Sequence, residues 1–333
     1  GAGVSRLRGR ARAAGAGAVS AAAPRLLVDT SSLLYRAFFA LPRTIRDPQG
    51  QSVNAVRGYL DMSSLVITER RPRAVVHVLD ADWRPAPRVA AYAGYKSART
   101  EDPPELAGQQ DLLLEVLAAA GCQVASAAGW EADDAIATLA ETATAERPDE
   151  VLTGDRDLLQ VVRDPAVRVL YTQRGVTRLA VFDEAAVLAA YGVPARLYAE
   201  LAMLRGDPSD GLPGVAGIGT KGAARMLTEH GSLDALLGAT ATLTPRLRAA
   251  LEGAAEYLAA MRAVVPVRLE VACEVTLAGT PDPERLRWLG ERHAIESPVT
   301  RMLAALGGNA AGDEGADGLG RSAPPGPRQR SED

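Results

Sequence analysis

Short apolar runs that end in acidic residues recur along this chain, and they constrain its fold more than any other feature. Three of these runs are followed by aspartates, at Asp29, at Asp80, and at Asp155 with Asp157. Helical patterns lie between the runs, and this alternation predicts an α/β protein with a mostly parallel central sheet and flanking helices. Because the carboxyl ends of parallel strands face the same crevice, we expect these acids to meet there.

The same patterns place the individual elements. Strands are expected at 26–29, 74–80, near Val124, near Val151 and at 167–171, and helices after the first strand and at 54–70, 183–191 and 196–204. The pattern turns mainly helical beyond residue 183. It therefore predicts a disordered basic extension at 1–24, an α/β core at 25–182, a helical subdomain at 183–306 and a disordered tail at 307–333.

A cluster of acids opens the predicted helix near residue 132. Glu131, Asp133 and Asp134 lie within one turn, where like charges repel unless something offsets them. A hard divalent cation would do so. The alternative is that the helix macrodipole alone favours acids in a first turn.

The acids elsewhere in the chain strengthen the metal interpretation. With Asp207 and Asp210 the carboxylates number nine: Asp29, Asp80, Glu131, Asp133, Asp134, Asp155, Asp157, Asp207 and Asp210. So many charges in one cleft would need neutralisation. Two Mg²⁺ or Mn²⁺ ions about 4 Å apart would supply it and would also support phosphodiester chemistry.

Basic and aromatic residues interleave in the segment 82–110, which includes Arg88, Tyr95, Lys96 and Arg99. Such a mixture suits a nucleic-acid single strand, because cations meet phosphates while rings stack on bases. The alternative is a solvated loop with ordinary surface charge. We also expect Arg36 near the cleft and Tyr35 in the core.

Glycines cluster in the segment 211–227, at Gly214, Gly217 and Gly219, just before Thr220 and Lys221. A glycine-rich hairpin at a helix start lets backbone N–H groups approach phosphates closely. Glycines also mark ordinary turns, so this spacing alone is weak evidence.

Charge and composition limit the class of protein. The net charge is −4, but the residues other than the nine acids are net positive, so DNA is not excluded as a partner. The two cysteines indicate no disulfide framework, and no apolar run is long enough to span a bilayer. We expect a cytoplasmic, nucleoid-associated protein with no membrane partner.

Five ordered motifs resemble the bacterial 5′-nucleases, a family that includes the 5′-3′ exonuclease domain of DNA polymerase I and stand-alone flap endonucleases. The motifs are LLVDTSSLLYRAFFAL at 26–41, GYKSAR at 94–99, GWEADD at 129–134, LTGDRDLLQ at 152–160 and RGDPSDGLPGVAGIGTK at 205–221. The resemblance covers roughly residues 25–300.

The resemblance implies a structure-specific 5′-3′ exonuclease or flap endonuclease with a PIN-like nuclease core, acting in primer removal, replication and repair. Segment 82–110 would be a helical arch whose Lys96, Arg88 and Arg99 steer the scissile phosphate, with Arg36 also in the catalytic group. Segment 211–227 would be a helix-hairpin-helix variant that binds duplex DNA and a K⁺ ion, and Tyr95 would also contact DNA.

The resemblance also divides the acids between two metal sites. Asp29, Asp80, Glu131 and Asp133 would gather round one ion, and Asp134, Asp155, Asp157, Asp207 and Asp210 would lie nearer the other. The substrates would be DNA with a 5′ flap, gap, nick or free 5′ end, or an RNA–DNA hybrid, cut by a monomer.

Two other classes of protein share parts of this pattern. A non-catalytic DNA-junction-binding paralogue would keep the hairpin, but the full set of nine acids argues against it. A PIN-like ribonuclease would share the acidic core, but such enzymes lack the glycine-rich hairpin.

Overall fold

A seven-stranded sheet forms the centre of the protein, and the computed structural model describes residues 22–99, 103–173 and 178–310. The strands are β1 (Arg25–Asp29), β2 (Ala74–Val78), β3 (Gln123–Ala127), β4 (Asp149–Thr153), β5 (Val167–Thr172), β6 (Leu179–Phe182) and β7 (Cys273–Val275). Their order is β6-β5-β4-β1-β2-β3-β7. The first five strands are mutually parallel, and β6 and β7 are antiparallel edges.

Helices cover the sheet and form most of the chain after residue 183. They are α1 (Thr30–Ala40), α2 (Asn54–Arg70), α3 (Ala86–Ala91), α4 (Pro104–Ala119), α5 (Ala132–Ala140), α6 (Glu184–Tyr191), α7 (Tyr198–Arg205), α8 (Thr220–His230), α9 (Leu233–Gly238), α10 (Pro245–Gly253), α11 (Ala255–Val264), α12 (Pro283–His293) and α13 (Glu296–Ala310). The mixed α/β fold with a helical C-terminal part confirms the predicted fold class.

Two apolar cores lie on opposite faces of the sheet, because side chains alternate along each strand. Leu27 of β1 joins the core that contains α5, α7 and α8. Its neighbours Leu26 and Val28 join the core that contains α1, α2, α4 and α13. With both faces of β1 covered, its strand reads as a continuous apolar run, as parallel strands do.

The C-terminal part, predicted as a helical subdomain at 183–306, also contributes a strand to the central sheet. Strand β7 pairs with β3, with Ala125 opposite Val275, and α13 packs against α2. The edge strands β6 and β7 were not predicted. The proposed tail at 307–333 begins inside α13, whereas residues 1–21 and 311–333 lie outside the described part of the chain.

The segment 82–110 forms a short helix and turns, not one continuous helix. Helix α3 spans six residues, turns follow to Ala98, and α4 starts at Pro104 and packs in the core against α2. Prolines start both helices, since proline suits a first helical turn but interrupts a longer one. Residues 100–102 lie outside the described part.

No single helix within the described ranges is long and apolar enough to cross a membrane. The helix Glu184–Tyr191 and the segment Ala195–Arg205 reach that length and composition only as a pair, with a bend of 53° between them.

Candidate active site

The carboxyl ends of β1, β2 and β4 carry acids at one edge of the sheet, as the strand pattern predicted. Strand β1 lies between β2 and β4, so Asp29 has the segment of Asp80 on one side and that of Asp155 on the other. The Asp29 carboxylate caps α1, accepting from the Ser32 N–H at 3.1 Å, and its other oxygen accepts from the Thr153 hydroxyl at 2.6 Å. Asp80 accepts from the Ala132 N–H at 2.7 Å, which joins the end of β2 to the start of α5.

The pKa values of these acids report a crowded, negatively charged cleft. Burial raises the pKa of Asp29 to about 7, and the charges of Asp80 and Asp155 add to the rise. Burial likewise raises the pKa of Asp133 well above its ordinary value, helped by Asp155 and Asp29. Like charges favour the protonated form of a neighbouring acid, so these carboxylates share one electrostatic site.

A second group of acids adjoins the first. Burial raises the pKa of Asp157 well above its ordinary value, and the charges of Asp155, Asp210 and Asp207 contribute. Asp155 accepts from the Asp157 N–H at 2.9 Å, which fixes the turn after β4. The loop acids predicted at 207 and 210 therefore belong to the same cleft as the strand acids.

Cations from the segment 82–99 neutralise some of the acids. Lys96 is ion-paired with Glu131, and the Tyr95 hydroxyl donates to the same carboxylate at 2.7 Å. Arg99 is ion-paired with Asp210 at 2.5 Å, and the backbone N–H of Lys96 donates to the Asp210 carbonyl at 2.8 Å. These contacts dock the segment directly against the acidic cleft.

Gly211 permits this close docking. A side chain there would place its Cβ 2.4 Å from the backbone oxygen of Gly94, and Gly211 has a φ of +74° that other residues rarely adopt.

Arg88 does not face the cleft as a phosphate clamp, in contrast to the expectation from sequence. The residue is 3% exposed, and its guanidinium donates to Asp134 at 2.8 and 2.9 Å, to Glu131 and to the Val264 carbonyl. A buried guanidinium needs such partners, since an unpaired buried charge is costly. The two carboxylates raise the pKa of Arg88 although burial opposes its charge.

Asp134 is correspondingly buried beside Glu131, and both carboxylates bind Arg88. It is 0% exposed, and one of its oxygens also accepts from the Arg268 N–H at 2.8 Å. Both carboxylate oxygens are thus occupied by Arg88 and the backbone. In this arrangement Asp134 holds Arg88 in place and is not available as a direct metal ligand.

Arg36 lies beside the turn that carries Asp155. Its guanidinium donates to the Gly154 carbonyl at 2.5 Å and lies 5.8 Å from the centre of the Tyr171 ring. A Cβ at Gly154 would lie 1.8 Å from the Arg36 Nε, so a side chain there would displace the guanidinium. Tyr35, expected in the core, is 47% exposed and packs against Phe39 with the two rings tilted by 50°, so that expectation was wrong.

The glycine-rich segment forms a hairpin that leads into α8. Val215 and Ile218 are buried and anchor it, whereas Gly217 and Gly219 are exposed at the start of the helix. Lys221 is exposed in the first turn of α8, next to Thr220. Backbone amides at a helix start favour anions, so this surface suits phosphate.

Gly214 has a different position from the other hairpin glycines. Its N–H donates to the Tyr257 hydroxyl at 3.1 Å, and a Cβ would lie 2.4 Å from the backbone oxygen of Arg205. The expectation that Gly214 contacts DNA directly therefore conflicts with its packing, which fixes the hairpin against α7 and α11.

Sequence reasoning missed Thr153 and Arg156. Thr153 ends the strand β4, yet its hydroxyl lies between Asp29 and the backbone of Asp155. Arg156 is exposed between Asp155 and Asp157, and its Nε donates to the Tyr171 hydroxyl at 3.3 Å. The only signal for either was its place within the motif at 152–160.

The donor set has the chemistry of a site for hard divalent cations. Carboxylate oxygens are their preferred ligands. Burial and mutual repulsion disfavour the charged form of these acids, and a bound cation would offset both effects. The Asp133 carboxylate accepts no hydrogen bond within the described ranges. In that same part of the chain, no three acids converge tightly enough to ligate one ion without side-chain movement.

Comparisons with known proteins agree with this architecture. Residues 24–192 match the family model for the 5′-3′ exonuclease N-terminal resolvase-like domain, and residues 193–284 match that for the 5′-3′ exonuclease C-terminal SAM fold. A 5′-3′ exonuclease of Mycobacterium tuberculosis is 43% identical over 313 residues, covering 85% of this chain and 98% of the relative.

A longer protein matches this chain in sequence, and a more distant one matches it in structure. DNA polymerase I of Mycobacterium tuberculosis is 38% identical over 314 residues, covering 90% of this chain and 34% of the polymerase. The bacteriophage T5 flap endonuclease, solved with DNA and metal ions, is 17% identical with a TM-score of 0.59, and the match covers 86% of this chain and 99% of that protein. The sequence matches, together with the shared fold, show that this chain belongs to the 5′-3′ exonuclease family of nucleases.

Proposed function

We propose that this chain is a structure-specific 5′ nuclease that uses Mg²⁺ or Mn²⁺ to cut DNA near a 5′ end or at a flap junction. The supporting observation is the docking of a basic segment onto an acidic cleft, in which Lys96 is ion-paired with Glu131 and Arg99 with Asp210. Cations beside a metal-ligand set place a phosphate and its metal ions at the same point. The match to a 5′-3′ exonuclease over most of both chains supports the reaction class.

The acids divide into two groups by what already contacts them. Asp29, Asp80, Asp133, Asp155, Asp157 and Asp207 have no ion pair within the described ranges, and these six would hold two or more metal ions. Bound Mg²⁺ or Mn²⁺ lowers the pKa of a coordinated water and stabilises charge on the phosphate and the leaving oxygen. Glu131, Asp134 and Asp210 instead position the cations of the segment 82–99.

The basic residues would act on the substrate strand. Arg99, whose side chain is partly exposed, and Lys96, buried where the segment docks, would pair with the scissile phosphate by exchanging their carboxylate partners for it. Arg36, held beside Gly154, would contact a neighbouring phosphate, and Tyr95 would act indirectly, because its hydroxyl is bonded to Glu131.

Duplex DNA would bind at the glycine-rich hairpin before α8. Gly217 and Gly219 leave the helix start open to a phosphate, and Lys221 adds a charge in the first turn. A backbone site of this kind reads the shape of the duplex and not its sequence. We propose that a K⁺ ion binds at the same hairpin and that the protein acts as a monomer.

Cleavage of a 5′-labelled flap duplex tests this function. The full-length protein is incubated with MgCl₂, MnCl₂ or EDTA, and product lengths are read on a denaturing gel. Products at the flap junction that vanish in EDTA are expected. Gapped, nicked, blunt and RNA–DNA duplexes in parallel lanes rank the substrates.

Two results of this experiment would contradict the proposal. Tight binding without a cut in any metal would indicate a DNA-junction binder. Cleavage of single-stranded RNA in preference to every DNA substrate would indicate a ribonuclease. Sedimentation of the protein alone tests the monomer, and a thermal shift with KCl against NaCl tests the K⁺ site.

A further inference from the structure

The hydroxyl of Thr153 lies between two acids that come from neighbouring strands. Thr153 ends β4 and is fully buried. Its Oγ1 is 2.6 Å from an Asp29 oxygen at the end of β1 and 2.8 Å from the backbone N of Asp155. One side-chain atom thus contacts both sides of the acidic cleft.

The directions of these two hydrogen bonds follow from what each group can donate. The Asp155 N–H can only donate, so the Thr153 oxygen accepts from it. A hydroxyl has one hydrogen, and that hydrogen is therefore directed at Asp29. Donation to a carboxylate favours its charged form, which is the form that binds a metal ion.

The remaining contacts leave Asp29 little freedom. Its other oxygen accepts from the Ser32 N–H at the start of α1. Asp155 in turn accepts from the Asp157 N–H, so a continuous series of hydrogen bonds runs from the α1 cap to the turn after β4. Thr153 is the member of this series that crosses from one strand to the next.

We propose that Thr153 is a positioning residue that holds Asp29 and the Asp155 backbone in fixed relation, so that the metal ligands of the two strands stay close to one another. This role rests on the proposed metal-dependent function. Groups that orient metal ligands through hydrogen bonds affect metal affinity although they never touch the ion. The competing explanation is that threonine serves here only as a β-branched strand residue that fills space.

Substitutions that differ by the hydroxyl alone separate these explanations. Thr153→Val keeps the shape and removes the hydroxyl, whereas Thr153→Ser keeps the hydroxyl and removes the methyl. Thr153→Ala differs from Thr153→Ser by one oxygen and forms a second matched pair if the valine variant does not fold. Thr172→Val is the control, because the Thr172 hydroxyl donates to the Thr153 carbonyl at 3.2 Å and touches neither acid.

The measurement is Mn²⁺ affinity of the full-length protein without DNA, by calorimetric titration, with thermal unfolding in EDTA to confirm folding. We expect Thr153→Val and Thr153→Ala to weaken Mn²⁺ binding by about 10–100-fold, the usual effect of losing such a partner. Thr153→Ser and Thr172→Val should bind Mn²⁺ nearly as tightly as the wild type. Flap-cutting rates at a fixed Mn²⁺ concentration should fall in the same order.

Three outcomes would overturn the proposal. Wild-type Mn²⁺ affinity in Thr153→Val or Thr153→Ala would show that the hydroxyl is dispensable. Equal losses in Thr153→Ser and Thr153→Ala, or a loss in Thr172→Val as large as in Thr153→Val, would show that packing is responsible. Failure of the wild type itself to bind Mn²⁺ would refute the metal-dependent function and this role with it. The other two outcomes differ from this one because in them the wild type binds Mn²⁺.

Discussion

Replacing Arg88 with alanine separates a structural role for this residue from the role in phosphate binding that its sequence context suggested. The side chain makes bonds to Asp134 at 2.8 and 2.9 Å, to Glu131 and to the Val264 carbonyl, all in a buried setting. Removal leaves Asp134, which is 0% exposed, without a cationic partner.

The size of the effect follows from that burial. Removing one partner of a buried ion pair costs about 3–5 kcal/mol, because the other charge is left uncompensated. Lys96 still neutralises Glu131, so the loss falls mainly on Asp134. We therefore expect Arg88→Ala to lower the free energy of unfolding by about 3–5 kcal/mol. Arg301→Ala is the control: its side chain is 49% exposed and that of its partner Asp61 is 39% exposed, and such pairs contribute about 1 kcal/mol or less.

The pH dependence gives a second, independent test. Burial raises the pKa of Asp134, and the charge of Arg88 opposes that rise. Without Arg88 the pKa of folded Asp134 rises further, so protonation at acid pH relieves the unpaired charge. The stability loss of Arg88→Ala should therefore be smaller at pH 5 than at pH 8.

Urea unfolding in EDTA measures both effects, and filter binding to a flap duplex measures affinity for DNA. A variant as stable as the wild type but with much weaker DNA binding would refute the structural role and restore the phosphate clamp.

Three further predictions concern the acids and the hairpin. Asp155→Asn should abolish flap cleavage while duplex binding in Ca²⁺ stays near wild type; parallel losses of both would refute the separation of roles. Lys221→Ala should weaken duplex binding and reduce the slope of log affinity against log salt by about 0.9, the contribution of one phosphate contact; an unchanged slope would exclude that contact. The pKa of Asp29 is raised from 3.8 to about 7, so between these two pH values Asp29 is protonated in the folded protein and ionised in the unfolded chain. The unfolding free energy in EDTA should therefore fall as pH rises from about 4 to 7, and Asp29→Asn should flatten that fall.

Much of the fold followed from the sequence because its strands are buried on both faces. The apolar run Leu26–Val28 of β1 is continuous, and α2 occupies the predicted range Asn54–Arg70. Strand β7 was missed because it is three residues long, two of them exposed, and its partner β3 is about 150 residues earlier. Pairing over such a distance leaves no periodic signal in the local sequence.

The site was predictable in outline for a similar reason. Acids after parallel strands must meet at one edge, so Asp29, Asp80 and Asp155 could be grouped from sequence. The pairing of Arg88 with Asp134 could not, because the two are 46 residues apart and nothing local distinguishes a buried arginine from an exposed one. Thr153 was hidden by its β propensity, which explains a threonine in a strand without reference to the acids.

The pairing of β3 with β7 also has a consequence for how the chain is made on the ribosome. Synthesis proceeds from the N-terminus at about 5–20 residues per second, so β7, which covers the free edge of β3, is made roughly 8–30 s after β3. Helix α13, which packs against α2, emerges later still. An exposed strand edge is a template for pairing with other chains. During this interval the nascent nuclease core is therefore prone to aggregate. Any fragment that ends before β7 should aggregate for the same reason, because its β3 edge stays uncovered.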